Sequence, residues 1–266
     1  MDMAAAAPGN ARRSDGRLCA AALGLLLGSL PAIAQTQPSP EERMQRYRVT
    51  PLDVARVEEG IRNAEPTLSK LWARTFANRR LAYKDPRIVS VSAKGASSGC
   101  GPVPFDLNNA FYCRLDHTIY YDPIFLAALR RVVAEKTGRP ADQVPIVTLA
   151  HEWGHAVQSN LANLEGISRL VEQDADCYAG VGLREISQAS DPEGELAVME
   201  SFYRLASDRL NHDGSQWSLA LHFADPGAHG NLFDRLIAFK DGYRKGVDAC
   251  QAQDRWRGLL DRVAPN

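Results

Sequence analysis

The sequence predicts a mostly helical α+β domain with a small sheet in its first half. Several segments between residues 51 and 246 repeat apolar residues at three- and four-residue steps, which is the period of an amphipathic helix. Residues 87–93 instead alternate apolar and polar side chains, and residues 118–121 are rich in β-forming types. The 266 residues are 45% hydrophobic and 24% charged, a composition that allows a substantial core.

The N-terminal segment has the three parts of a secretory signal peptide. Arginines precede an apolar run over residues 18–34, and the small residues Ala32 and Ala34 form a cleavage site of the A-x-A type. The run contains Gly28 and Pro31 and is short for a membrane helix, so an uncleaved anchor is the weaker alternative.

We therefore expect three segments: a signal peptide over residues 1–34, a polar linker over residues 35–50 and one domain over residues 51–266. The protein is expected to be exported to the periplasm or secreted, with no stable membrane span once the signal is cleaved. Its net charge is −1, so no overall basic field would attract nucleic acid, and nucleic-acid binding is not expected.

The elements of the domain follow from the periodicity in chain order. A helix is expected over residues 51–77, with an interruption near Pro66 because proline removes a backbone donor. The two strands follow, separated by a loop rich in glycine, proline and asparagine. The next helix begins at Pro123 and ends near Gly138, after which Asp142 is a candidate N-cap. Further helices are predicted over residues 144–159, 168–186, 193–210 and 230–246.

The cysteines support export. Cys19 belongs to the predicted signal, and four cysteines remain in the exported chain: Cys100, Cys113, Cys177 and Cys250. An even number in an exported protein indicates two disulfides, with three possible connectivities. A local bridge between Cys100 and Cys113 is the economical pairing, and Cys177 with Cys250 then follows by elimination.

One pentapeptide has the spacing of a metal site. His151 and His155 belong to the sequence H-E-x-x-H within a predicted helix, where residues four apart share one face. Both imidazoles can therefore reach one ion, and neutral imidazole suits Zn²⁺. Glu152 is turned by about 100° from His151 around the helix, so it can act as general base toward a metal-activated water. Two surface histidines on an amphipathic helix are the alternative.

A catalytic zinc also requires a third protein ligand. The metzincin pattern would place glycine and histidine where this sequence has Gln158 and Leu161, so that class is excluded. Downstream, Glu172 and Asp176 share one face of the predicted helix over residues 168–186. One of these carboxylates could bind the metal while the other accepts a hydrogen bond from a ligand imidazole. A solvated pair of acids is the alternative.

Taken together, these motifs resemble those of the bacterial neutral zinc metallopeptidase family. The resemblance rests on H-E-W-G-H-A-V-Q from His151 and on E-Q-D-A-D-C-Y-A-G from Glu172. It extends over residues 98–250 through shorter motifs: S-G-C-G at 98–101, F-Y-C at 111–113, I-Y-Y-D at 119–122 and H-G at 229–230.

The resemblance implies a zincin-like metallopeptidase domain, Zn²⁺ as cofactor and a peptide or protein as substrate. It implies that Glu172 is the third ligand, as in gluzincins, and that Asp176 supports a ligand histidine from outside the metal's own shell. It also implies the pairing of Cys100 with Cys113.

An oxyanion donor is the remaining requirement of such a hydrolase. His229, which precedes a predicted helix start, is the catalytic candidate, and Tyr112 and Tyr178 are further possibilities. A packing role at the helix entry is the alternative for His229. We expect His117 and the remaining histidines to be ordinary core or surface residues.

Three functions fit the sequence. The leading hypothesis is a zinc-dependent peptidase. The second is a hydrolase of cell-wall amides, and the third is a catalytically weak zinc-binding envelope protein that acts through a partner. The presence of Glu152 disfavours the third hypothesis, because a purely structural zinc site has no use for a carboxylate at that position.

Overall fold

The computed structural model describes residues 38–91, 95–161, 168–207 and 232–250, and the predicted mostly helical α+β class is confirmed. The helices are α1 (Pro40–Tyr47), α2 (Pro51–Asn78), α3 (Pro123–Thr137), α4 (Gln143–Asn160), α5 (Ser168–Ser187), α6 (Pro192–Ser207) and α7 (Leu232–Lys245). The strands are β1 (Arg87–Ser90), β2 (Ala96–Ser98), β3 (Gly101–Val103), β4 (Ala110–Cys113) and β5 (Thr118–Tyr121).

Three of these strands form one mixed sheet in the order β1, β5, β4. Strand β1 is parallel to β5 and β4 is antiparallel to it, so β4 lies at an edge of the sheet. Strands β2 and β3 form a separate antiparallel pair. The predicted strand over residues 118–121 is β5, and the one over residues 87–93 is β1, which ends at Ser90.

Helix α1 lies in the segment that was expected to be a linker. Its first turn is closed by a capping box in which Ser39 and Glu42 exchange side-chain and backbone hydrogen bonds. Arg43 is buried, forms an ion pair with Asp122 and donates to the backbone oxygen of Phe105 at 2.8 Å. The linker prediction is therefore wrong for residues 40–47. The sequence of this segment is polar, but Arg43 points inward and pairs with the buried Asp122.

Helix α2 continues through Pro66, so the predicted interruption is wrong. Pro66 lies on the exposed side of the helix, where water can bind the carbonyl that proline leaves without a donor. The opposite side buries Leu68, Trp72 and Phe76, and the helix packs against α3, α4 and α5. This burial holds the two halves of α2 in line.

Helices α4 and α5 are at the centre of the packing. Nearly every side chain of α4 from Val144 to Gln158 is buried, and α5 packs against both α4 and α7. Asp142 lies at the N-cap position of α4, but its carboxylate binds Arg130 at 2.5 Å instead of capping the helix. Trp153 is fully buried behind this helix and donates to the hydroxyl of Tyr83.

Two disulfides connect the elements, with the pairing expected from the sequence. Cys100 is bonded to Cys113 on β4, and Cys177 on α5 is bonded to Cys250 after α7. None of the helices within the described ranges has the length and hydrophobicity that a membrane span requires. The predicted signal peptide lies outside the described residues.

Candidate metal centre

The close approach of α4 and α5 depends on a glycine. A Cβ atom built on Gly154 would lie 2.8 Å from the backbone oxygen of Ala175 and 2.9 Å from its Cα. Only glycine leaves this space free, so the backbones of the two helices can approach each other here. The approach brings the H-E-x-x-H segment of α4 next to the acidic segment of α5.

His151, His155 and Glu172 meet at this crossing. Their ligand-type atoms all lie within 4.8 Å of one another. The Nε2 atom of His151 is 3.3 Å from one carboxylate oxygen of Glu172, and that of His155 is 3.5 Å from the other. The two imidazole rings are nearly perpendicular, with centroids 4.8 Å apart.

This donor set fits zinc. Two imidazole nitrogens and one carboxylate are the ligands of many catalytic zinc sites. Ligand atoms that each lie about 2.0–2.1 Å from a tetrahedral zinc are separated by roughly 3.3 Å. The nitrogen-to-oxygen distances of 3.3 and 3.5 Å are close to this separation. Zinc is therefore compatible with the donors and with their spacing.

Asp176 fixes the orientation of His151 through Nδ1, the ring nitrogen that does not face Glu172. Its Oδ1 lies 2.9 Å from Nδ1 of His151. An ionised carboxylate only accepts, so Nδ1 carries a hydrogen and Nε2 is the nitrogen that faces Glu172. Burial would raise the pKa of Asp176, but Arg235 and His151 lower it below its usual range. The carboxylate is therefore ionised.

Two further side chains complete this buried network. The Nε atom of Arg235 lies 2.5 Å from Oδ2 of Asp176, and its guanidinium also reaches Oδ1 at 3.0 Å. Tyr203 donates its hydroxyl hydrogen to Oδ1 at 2.9 Å. Sequence analysis did not identify either residue as part of the site. Tyr203 and Arg235 lie 27 and 59 residues after Asp176, so no local spacing linked either of them to it.

The two histidines differ in their electrostatic environment without a metal. Burial lowers the pKa of His151, but Asp176 and Glu172 outweigh burial and raise it. Burial and the neighbouring His151 lower the pKa of His155. A proton therefore resides on His151 in preference to His155, and a bound metal must displace it.

Glu152 is buried on α4 beside the three candidate ligands. Its Oε2 accepts a hydrogen bond from the backbone N–H of Tyr112 at 2.8 Å. Tyr112 belongs to the edge strand β4, so the sheet holds this carboxylate in one orientation. This arrangement is suitable for a group that must accept a proton at a defined position.

The tyrosines considered as oxyanion donors have other contacts. The hydroxyl of Tyr112 bonds Nδ1 of His117 at 2.6 Å, and Nε2 of His117 donates to the carbonyl of Lys84. The ring of Tyr178 packs edge-on against Trp72 in the core, with centroids 5.2 Å apart. His229, the catalytic candidate, lies outside the described residues.

Comparisons with known proteins show what the chain is similar to. A family model described as "Putative neutral zinc metallopeptidase" matches residues 18–253. An uncharacterized protein of Mycobacterium tuberculosis and one of Mycobacterium bovis are each 36% identical to the chain over 156 residues. The alignment covers 59% of this chain and 46% of each relative, so the chain spans about half the length of the curated relatives it matches. No solved structure matches the chain.

Proposed function

Because the chain belongs to the neutral zinc metallopeptidase family, we propose that it is a zinc-dependent peptidase that hydrolyses peptide bonds with Glu152 as general base. The observation that supports this most directly is the convergence of His151, His155 and Glu172 next to Glu152, a second carboxylate that is held separately. A structural zinc site would have four protein ligands, whereas a catalytic site has three and leaves one position open. Among the described residues the group has three donors, which favours the catalytic kind.

Zinc at this site would polarise the scissile carbonyl and lower the pKa of the attacking water. Glu152 accepts the proton of that water and later delivers it to the leaving nitrogen. The hydrogen bond from the Tyr112 backbone holds Oε2, so the carboxylate does not need to reorient between the two transfers. The edge strand β4 thereby contributes to the placement of the general base.

The buried network around Asp176 holds His151 in the orientation that metal binding requires. Asp176 holds the Nδ1 hydrogen of His151, so Nε2 is available to the metal. Arg235 compensates the charge of Asp176, which lets a carboxylate stay ionised in a buried position. In this proposal the network contributes to metal affinity and makes no contact with the substrate.

Export is part of the same proposal. Disulfides persist in oxidising compartments, and this chain has two of them. With the signal peptide predicted from the sequence, they support action in the periplasm or outside the cell. The substrate is then an extracytoplasmic peptide or protein.

The test is hydrolysis of an unfolded protein by the purified chain loaded with one equivalent of zinc. Products are identified by mass spectrometry before chelation, after chelation and after zinc is restored. We expect cleavage to stop with chelation and to return with zinc. Glu172→Gln should lose both zinc and activity, because it removes the carboxylate ligand.

Two results would contradict the proposal. Cleavage that persists after complete removal of the metal would exclude the zinc mechanism. A zinc-loaded chain that cleaves neither unfolded proteins nor peptide libraries would exclude general peptidase activity. Hydrolysis of cell-wall fragments would then favour the amide hydrolase, and inertness toward both substrates would favour the partner-binding function.

A further inference from the structure

Gln158 is a buried polar residue on α4 that the mechanism above does not use. It is 1% exposed and lies one turn after His155. Its Oε1 is 2.8 Å from Nδ1 of His155, and its Nε2 donates to the backbone oxygen of Val171 at 2.7 Å. Both polar groups of the amide therefore have a partner. The oxygen contacts His155 on α4 itself, and the nitrogen contacts Val171 on α5.

The chemistry of these partners allows only one arrangement of hydrogens. The carbonyl of Val171 can only accept, so the NH₂ group of Gln158 must face it. The amide oxygen then faces His155, which requires that Nδ1 of His155 carries a hydrogen. Nε2 of His155 is left with its lone pair, and this is the atom that lies 3.5 Å from Glu172.

The second hydrogen bond connects this histidine to the third candidate ligand. Val171 immediately precedes Glu172 on α5, so the bond from Gln158 anchors the backbone next to that carboxylate. The hydrogen bond between His151 and Asp176 is another connection between the ligand-bearing parts of α4 and α5. The site is thus held at two positions, one on either side of the contact between Gly154 and Ala175.

We propose that Gln158 is a positioning residue that selects the metal-binding tautomer of His155 and fixes the helix of Glu172 relative to it. The inference rests on the proposed metal site and extends it to a residue outside the ligand set. It also explains why an amide is suitable here. An ionised carboxylate could accept from His155 but could not donate to Val171.

The first test measures zinc affinity of the metal-free full chain by competition with a chelator of known affinity. Q158M keeps the length of the side chain but removes both hydrogen bonds. Loss of such a supporting partner typically weakens metal binding about 10- to 100-fold. We expect a loss in this range for Q158M, and an affinity within about twofold of wild type would overturn the inference.

Thr148→Val is the matched control on the same helix. Thr148 is also buried, and its hydroxyl donates to the carbonyl of Val144 at 3.0 Å. The control therefore loses one buried hydrogen bond within α4, without a contact to His155 or Val171. We expect its zinc affinity to equal that of wild type, and a loss as large as that of Q158M would mean that general destabilisation of α4 explains both results.

A second test uses the wild-type chain and needs no substitution and no metal. Long-range proton–nitrogen NMR of the chain with ¹⁵N-labelled histidine reports which ring nitrogen of His155 carries the hydrogen. We expect Nδ1–H, and Nε2–H would overturn the inference. A wild-type chain without affinity for zinc would instead contradict the proposed function, and the tautomer would still decide the role of Gln158.

Discussion

Asp176 is a buried carboxylate whose two oxygens receive hydrogen bonds from three side chains. His151, Tyr203 and Arg235 contact it from α4, α6 and α7, while Asp176 itself is 1% exposed. A buried charge is tolerated only when it is paired and hydrogen-bonded, and this residue has both kinds of partner. In the proposed metal site it would therefore contribute to metal binding as well as to stability.

Asp176→Asn should reduce both properties. The substitution removes the nearer counter-ion of the buried Arg235, whose guanidinium also lies 3.8 Å from Glu172. Breaking a buried pair costs up to about 3–5 kcal/mol of unfolding free energy. Zinc affinity should fall about 10- to 100-fold, because asparagine orients His151 less strongly than a carboxylate does. Urea unfolding of the metal-free chain and chelator competition measure the two effects separately.

Glu200→Gln is the matched control for this substitution. Glu200 also contacts two cationic side chains, Lys240 and Arg204, each at 2.7 Å, but the group lies at the surface. Exposed ion pairs contribute less than about 1 kcal/mol, so this variant should unfold almost like wild type and bind zinc equally well. Equal losses in the two variants would contradict the role assigned to Asp176.

Local spacing explains which site residues the sequence could indicate. His151, Glu152 and His155 lie within one turn of a helix, so their relation follows from the helical period alone. Glu172 and Asp176 are related in the same way on α5. Tyr203 and Arg235 are brought to Asp176 only by the packing of α6 and α7, which no local pattern encodes. The relation of Gln158 to His155 is local and could have been noticed.

At the scale of elements, the proposed metal site depends on how closely α4 can approach α5. Gly154 provides that approach, since a Cβ atom there would meet the backbone of Ala175. A side chain at this position would push the two helices apart. Because His151 and His155 lie on one helix and Glu172 on the other, the ligand distances depend on this contact.

Gly154→Ala should therefore destabilise the chain by about 1–3 kcal/mol, the usual cost of overpacking, and should weaken zinc binding. The control is Gly60→Ala in the interior of α2, where an added Cβ meets nothing within 4 Å. Alanine should stabilise that helix by roughly 0.5–1 kcal/mol. Chemical unfolding of the two variants compares them, and a stabilised Gly154→Ala chain would refute the packing argument.

The length and the composition of an element together determined whether the sequence indicated it. The helices from α2 to α5 extend over several turns, so their apolar period is repeated often enough to be recognised. Strands β2 and β3 contain three residues each, mostly small residues and proline, so neither alternation nor β-forming types indicate them. Strand β5 has only four residues, but all four are β-forming types. Helix α1 is short and polar, and its single buried side chain is an arginine.

At the scale of the whole molecule, the two disulfides close loops of very different length. Cys177 follows Asp176 on α5 and is bonded to Cys250, 73 residues later, whereas Cys100 and Cys113 are only 13 residues apart. In the chain-entropy model a disulfide stabilises by restricting the unfolded chain, and the effect grows with the length of the closed loop. The longer bridge should therefore contribute more to stability.

Removing Cys177–Cys250 by a double serine substitution should cost about 4 kcal/mol, and removing Cys100–Cys113 about 3 kcal/mol. Chemical unfolding of both variants in the absence of metal measures the two losses. A larger loss for the short bridge would contradict the loop-length argument and would indicate that contacts within the native state dominate.

The most direct measurement of the central claim compares wild type with Glu152→Gln, both loaded with zinc, on the same unfolded protein substrate. Glutamine preserves the size of the side chain but cannot accept the proton, and general-base catalysis typically contributes about 10²- to 10⁴-fold. We predict equal zinc content and a loss of hydrolysis rate in that range. A zinc-loaded variant that cleaves at the wild-type rate would contradict the account, because Glu152 would then not be the base.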